Sequence, residues 1–354
     1  MTLALKPILY LLRLGITCEL AYNTLGDIME YNAVFEGGGV KGIGLVGAIH
    51  ELESHGYKLK NVAGSSAGAI VAALIAVGYK ANEIKELMKE VNYLKFKQKA
   101  WVDYLPLGKM LNLGFNYGIY RADNFEKWLH DLCLKKGKAT FGDIKNEHYN
   151  NQKEKYQLQV TACNVTTKKL LILPHDIKSF GIDPDSLSIA KAVRMSMSLP
   201  IFYEPYIIKD KKGYQHLIVD GGLVSNYPIW LLDDGVTKSN IPTFGFKFKN
   251  NKENHYPNEV KNLINFFKCV VGACLDAGET YSDFQYSGDK ERTVNIDSVI
   301  LKEGRLVPIH TTDFDISKED SDLLLNNGQK AAKKFIKNWD FNKWNNKYRN
   351  KTNN

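Results

Sequence analysis

Apolar and polar positions along the chain keep switching between two periods. "NAVFE" (32–36) is a short apolar run that ends against glycine, as a buried strand does. "GIGLVGAIHELESHG" (42–56) then carries apolar residues at helical spacing, with polar ones gathering at its end. The order repeats at once: "LKNVAG" (59–64) reads as a strand, breaks at "GSSAG" and passes into "AIVAALIAVGY" (69–79). That segment is apolar on every face, so the helix it predicts must be buried on all sides. Strand, glycine turn and helix twice in succession predict parallel neighbours in one sheet with helices on both faces. The fold class expected is α/β, a three-layer α/β/α sandwich with a mainly parallel central sheet.

Further along, helical patterns lie near 81–91 and 122–135, around a loop rich in Gly, Tyr and Trp. The aromatics of 93–120 read as ordinary packing, with a lid or acyl groove as the alternative. "YQLQVTACNV" and "KKLLILP" (156–173) predict a hairpin, because alternating and β-branched residues flank a polar turn. "SLSIAKAVRMSMS" (186–198) predicts a helix capped by Ser186 and halted before Pro200. "QHLIVDGG" (215–222) and "IPTFGFKF" (241–248) are further strands. No repeat or low-complexity linker divides the chain. It is expected to form an amphipathic extension over 1–30, a catalytic unit over 31–235, a continuation of the same fold over 236–337, and a basic, disordered tail over 338–354.

The 354 residues are 44% hydrophobic and 11% aromatic, enough for a packed core. Five cysteines (Cys18, Cys133, Cys163, Cys269, Cys274) form no C-x-x-C pair, which argues against a disulfide framework or a zinc cage and for a cytoplasmic protein. The leucine-rich start is broken by Lys6, Pro7 and Arg13, which excludes a membrane span, and it lacks the cleavage site of a signal peptide. The net charge of +8 is concentrated late: Lys330, Lys333, Lys334, Lys337, Lys343, Lys347, Arg349 and Lys351 face only Asp340. Phe335, Trp339, Phe341, Trp344 and Tyr348 are interleaved with them. That mixture suits peripheral contact with an anionic membrane, or else a helix that docks its aromatics and leaves its lysines in water. Nothing in this charge pattern points to nucleic acid.

Three short motifs carry chemistry. "GSSAG" (Gly64, Ser65, Ser66, Ala67, Gly68) fits G-x-S-x-G and falls where a strand gives way to an apolar helix. A sharp turn there crowds the backbone on both sides of Ser66 and lifts its hydroxyl above the sheet, so Ser66 is the candidate nucleophile; the alternative is a serine that merely caps the helix. "GGGVKG" (37–42) lays backbone N–H groups bare, as an oxyanion site or a phosphate cradle would. It also satisfies G-x-G-x-x-G, but the second strand ends in "NVAG" with no ribose-binding acid, which argues against a dinucleotide. Asp220 ends a strand and precedes Gly221 and Gly222, so it is either a base at the sheet edge or a plain Asp-Gly turn. The eight histidines (His50, His55, His130, His148, His175, His216, His255, His310) follow no useful pattern; only His255 and His310 stand in the order an α/β-hydrolase triad requires.

In this order, "GGGVKG", "GSSAG" and "DGG" resemble the signature motifs of the patatin-like phospholipases over roughly residues 31–235. "MSMSLPIFYEP" (195–205) is similar to that family's proline-containing block, and 311–336 to bacterial members. The resemblance implies a patatin-like fold and a serine acyl hydrolase of lipids, working through a Ser66–Asp220 dyad and an acyl-enzyme. It implies an oxyanion site at Gly37, Gly38, Gly39, Lys41 and Gly42, a lipid or phospholipid as the partner, and no metal or cofactor. The rivals are a silent lipid-binding protein on the same fold and, further off, a nucleotide-binding protein.

Overall fold

A computed structural model of the chain describes residues 29–90, 98–99, 117–149, 154–236, 240–249, 260–261, 265–266, 269–275, 286–311, 313 and 315–349. The N-terminal extension, most of 93–120 and His255 lie outside them. The chain begins β1 (Met29–Phe35), α1 (Gly42–Ser54), β2 (Tyr57–Gly64), α2 (Ala67–Val77) and α3 (Ala81–Glu90), the order the hydrophobic pattern predicts. There follow β3 (Gln98–Lys99), β4 (Gly118–Arg121), α4 (Asp123–Lys135), the hairpin β5 (Leu158–Asn164) and β6 (Lys169–Leu173), α5 (Ile189–Ser196), β7 (Ile201–Tyr203), β8 (Tyr206–Lys209) and β9 (Gln215–Asp220). Strands β10 (Thr243–Lys249), β11 (Thr293–Asp297), β12 (Val299–Lys302) and β13 (Arg305–Pro308) and helices α6 (Lys318–Asn338) and α7 (Phe341–Tyr348) complete it.

The main sheet runs β11-β10-β1-β2-β5-β9-β8, with β6 on the far edge of β5. Strands β11, β10, β1, β2 and β5 are mutually parallel. Strands β6 and β9 run antiparallel to β5. One detail of register decides where the chemistry sits. β2 pairs with β5 only as far as Gly64 opposite Val160, and β9, on the same edge of β5, takes over with Asp220 opposite Ala162. The two strands therefore end head to head.

Alternation in β1 separates two cores. Tyr31, Ala33 and Phe35 face the large core under α1, α2, α5 and α6, while Val34 joins Ala63, Tyr227, Ile229 and Leu231 on the opposite face, where the one-turn helix Ile229–Leu231 forms a thinner third layer. Helix α2 is buried almost all round, as its composition requires. Among the described residues no helix is long and apolar enough to cross a membrane.

Two expectations fail. The helix after 186 is capped by Ser188, whose Oγ accepts from Lys191 N; Ser186 instead ends a short 3-10 turn whose cap is Asp183. The tail expected to be disordered from 338 is ordered through Arg349, because its aromatic residues pack against the body. Phe335 and Trp339 pack on Phe244, with ring centroids 4.9 and 5.0 Å away, and Trp344 follows 5.8 Å from Trp339. Trp344 is 5% exposed and donates Nε1–H to Gly288 O at 2.9 Å. Arg349 reaches Asp233 at 3.0 Å and Ser287 O at 3.2 Å. With the rings turned inward and the lysines of α6 and α7 left in water, the aromatic half of the expected membrane-binding surface is absent.

Candidate active site

The turn between β2 and α2 has only Ser65 and Ser66 to complete it. Ser66 takes φ 51° and ψ −123°, a positive-φ backbone that costs a non-glycine residue of order 1–3 kcal/mol. Its surroundings hold it there. Ser66 N–H donates to Ser196 Oγ at 2.9 Å, and Ser65 Oγ donates to Ser225 O at 2.7 Å while also bonding Thr161 Oγ1. A Cβ on Gly64 would lie 2.5 Å from the Gly68 carbonyl carbon, and one on Gly68 would lie 2.4 Å from Phe35 O. The spacing of G-x-S-x-G is thus set by backbone touching backbone on both sides of the serine.

Asp220 meets this turn because β9 stops where β2 does. It is 1% exposed, faces the Ser66 side chain, and receives Gly222 N–H on Oδ1 at 2.8 Å. Its own N–H donates to Ser198 O at 3.0 Å. Burial pushes the carboxyl up to about 6, against the downward pull of the Ser66 and Gly222 hydrogen bonds. No cation and no histidine contributes to that shift. His310 is exposed, His216 pairs with Asp210 at 3.4 Å, and His50 meets Gln329 at 3.1 Å. These three histidines are exposed or paired with residues other than Asp220.

The glycine loop closes the site on its third side, and its N–H groups divide into two sets. Gly37 donates to Asn226 O at 3.0 Å, Val40 to Thr311 O at 3.3 Å, Lys41 to Gly38 O at 3.1 Å, and Gly42 to Gly39 O. Among the described residues, the N–H groups of Gly38 and Gly39 donate to none. Of the five residues expected at an oxyanion site, Gly37, Lys41 and Gly42 thus use their N–H groups to hold the loop, which leaves those of Gly38 and Gly39. Gly39 sits at φ +55° with Thr311 O 1.9 Å from where a Cβ would be, so a side chain has no room there. The Lys41 ammonium lies 4.9 Å over the Phe248 ring, half-buried, rather than on the loop's carbonyls. At the loop's foot, buried Glu36 accepts Phe248 N–H at 2.6 Å and lies 3.9 Å from Lys247 Nζ.

Residues outside the three motifs brace all of this. Ser196 and Ser198, one on each candidate catalytic residue, come from the "MSMSLP" block, and buried Arg194 ties that block down through Ser198 Oγ and Glu204 O at 2.9 Å. Asn226, six residues beyond Asp220, touches the glycine loop through both backbone and side chain.

The patatin-like phospholipase family model matches residues 33–233. The uncharacterized protein YqhO of Bacillus subtilis is 33% identical over 316 residues, 88% of this chain and 100% of its own. A probable lipid hydrolase, 463L, of invertebrate iridescent virus 6 is 29% identical over 197 residues, 55% of this chain and 61% of its own. The crystal structure of VipD from Legionella pneumophila aligns with a TM-score of 0.49 at 19% identity, covering 87% of this chain, which spans 66% of VipD's length. A family match over more than half the chain coincides with the three strand ends that meet around Ser66, and on that ground the chain belongs to the patatin-like phospholipase family.

Proposed function

We propose that the chain is a serine acyl hydrolase that cleaves fatty-acyl esters of phospholipids or related lipids, with Ser66 as nucleophile and Asp220 as its base. The observation that carries this reading is the Ser66 side chain set against a buried carboxylate that has, among the described residues, no cation and no histidine acting on it. An aspartate with its pKa raised to about 6 is still ionised at neutral pH, yet is basic enough to draw the proton from a serine hydroxyl that faces it. As Ser66 Oγ adds to the ester carbonyl, its proton passes to Asp220. The oxyanion then forms beside the Gly38 and Gly39 N–H groups. Collapse of the tetrahedral intermediate expels the alcohol, which takes the proton back, and water repeats the sequence on the acyl-enzyme.

Family membership and a relative named as a probable lipid hydrolase support lipid as the substrate class. Of the described cysteines, Cys133, Cys163, Cys269 and Cys274 are unpaired thiols, which fits a cytoplasmic setting. The nucleotide reading of the glycine loop loses its basis, since four of the six N–H groups a phosphate would need are engaged within the protein.

The test is covalent labelling with a fluorophosphonate probe, alongside fatty-acid release from p-nitrophenyl esters and from phospholipid vesicles. Wild type is expected to label and to hydrolyse both; Ser66→Ala should do neither. A folded wild type that neither labels nor hydrolyses any ester would identify a silent lipid-binding protein instead.

A further inference from the structure

We propose that Asn226 is a positioning residue for the oxyanion site: its amide fixes the plane of the Gly37–Gly38 peptide, so that the Gly38 N–H rather than the Gly37 carbonyl is presented to the reacting ester. The inference rests on the acyl-hydrolase reading above.

A peptide with glycine on both sides flips easily, because neither residue has a Cβ to resist the change of backbone angles. A flip here would replace a donor by a carbonyl oxygen and repel the oxyanion it should stabilise. Asn226 prevents this from two directions. Its main-chain O accepts Gly37 N–H at 3.0 Å, and its Nδ2–H donates to Gly37 O at 3.3 Å. In a trans peptide C=O and N–H point in opposite directions, so anchoring Gly37 O to Asn226 directs the Gly38 N–H away from it. That N–H is one of the two in the loop that no described residue accepts.

The same side chain reaches the Gly222 turn that follows the base. A Cβ on Gly37 would lie 2.3 Å from Asn226 Oδ1 and 3.1 Å from Ser66 Cβ, and a Cβ on Gly222 would lie 2.7 Å from that Oδ1 and 3.1 Å from Asp220 Oδ1. One amide, 3% exposed, is therefore wedged between the oxyanion loop and the turn that carries Asp220. The two arms of the site keep their spacing through it.

The experiment compares wild type with Asn226→Ala and with Asn226→Leu, which preserves volume while removing the donor, on a soluble p-nitrophenyl ester. Thermal melting checks that each is folded. Misplacing one oxyanion donor is expected to lower kcat about 10- to 100-fold, with KM within about twofold and fluorophosphonate labelling slowed in parallel. The acid limb of the pH profile should stay where wild type has it, since Asp220 keeps its surroundings. A folded variant whose kcat stays within about twofold of wild type overturns the inference. So does an acid limb displaced from that of wild type, which would place the action of Asn226 on the base, and so does failure of both variants to fold, which would make it a residue of the fold alone. Inactive wild-type protein would instead count against the acyl-hydrolase reading, so the two failures are separable.

Discussion

Two sites in this molecule bury carboxylates, and they do so in opposite ways. Asp233 and Asp289 are enclosed with Arg292, at 2.5 and 2.6 Å, and Asp233 also holds Arg349 at 3.0 Å; Trp344 lies over both guanidinium groups. Asp220 is equally buried and, among the described residues, has a serine hydroxyl and one backbone N–H but no cation. Guanidiniums compensate the buried charge of the first pair, whereas burial without a cation pushes the Asp220 carboxyl up to about 6. The difference teaches how to separate structure from chemistry in such a fold. Compensated charge marks a joint, and uncompensated charge beside a hydroxyl marks a candidate reactive centre.

The contrast breaks most readily at the reactive centre. Ser66→Ala and Asp220→Asn should each lower kcat/KM by about 10⁴-fold or more. The melting temperature of Asp220→Asn should hold or rise, because removing a desolvated charge returns up to about 3 kcal/mol, roughly two pKa units at 1.36 kcal/mol each. A large fall in stability with activity retained would reverse the roles of the two sites. Arg292→Ala attacks the other member. Stranding Asp233 and Asp289 should cost about 3–5 kcal/mol in urea unfolding, while kcat per folded, probe-titrated molecule stays near wild type.

The pH dependence sharpens the comparison. With Asp220 raised to about 6, kcat/KM should climb tenfold per pH unit on the acid side and level off above about 6. A raised carboxyl keeps its proton longer in the folded state than in the unfolded one. Its contribution to stability is therefore most favourable below about pH 4 and declines as pH rises through about 6, the reverse of the usual aspartate. A profile flat down to pH 4 would rule out Asp220 as the base. The smallest effect is expected at Trp344→Phe, which keeps a ring over the arginines and loses only the bond to Gly288 O; about 1 kcal/mol of stability and no change in kcat should result.

What the amino-acid sequence discloses here follows the range of the interaction. The glycine motifs are legible because each records a local collision: Gly64, Gly68 and Gly39 stand where a Cβ would strike backbone. The parallel half of the sheet is legible from its repeated strand-turn-helix order. The antiparallel insertion of β9 after β2 leaves no local mark, although it is what brings Asp220 to Ser66. Asn226 is hidden for the same reason, its partner Gly37 being 189 residues away. Helix α7 was obscured by composition: "FNKWNNKY" looks like solvated tail until Trp344 and Tyr348, four apart, are placed on one helical face beside Arg349. The "MSMSLP" block is legible as a motif, but its role as a double brace depends on register. Nor does the site end with the family match at 233, since β10 lies beside β1 and Thr311 backs the glycine loop.

The pairing of Arg349 with Asp233 also imposes an order in time. The two residues are 116 apart in sequence. At synthesis rates of about 5–20 residues per second, Asp233 is made roughly 6–23 s before its later partner. Through that interval the joint is incomplete, so a nascent chain can assemble the strands that carry Ser66 and Asp220 before the joint closes. Closure of the joint, though not assembly of those strands, is thereby tied to translation having passed residue 349.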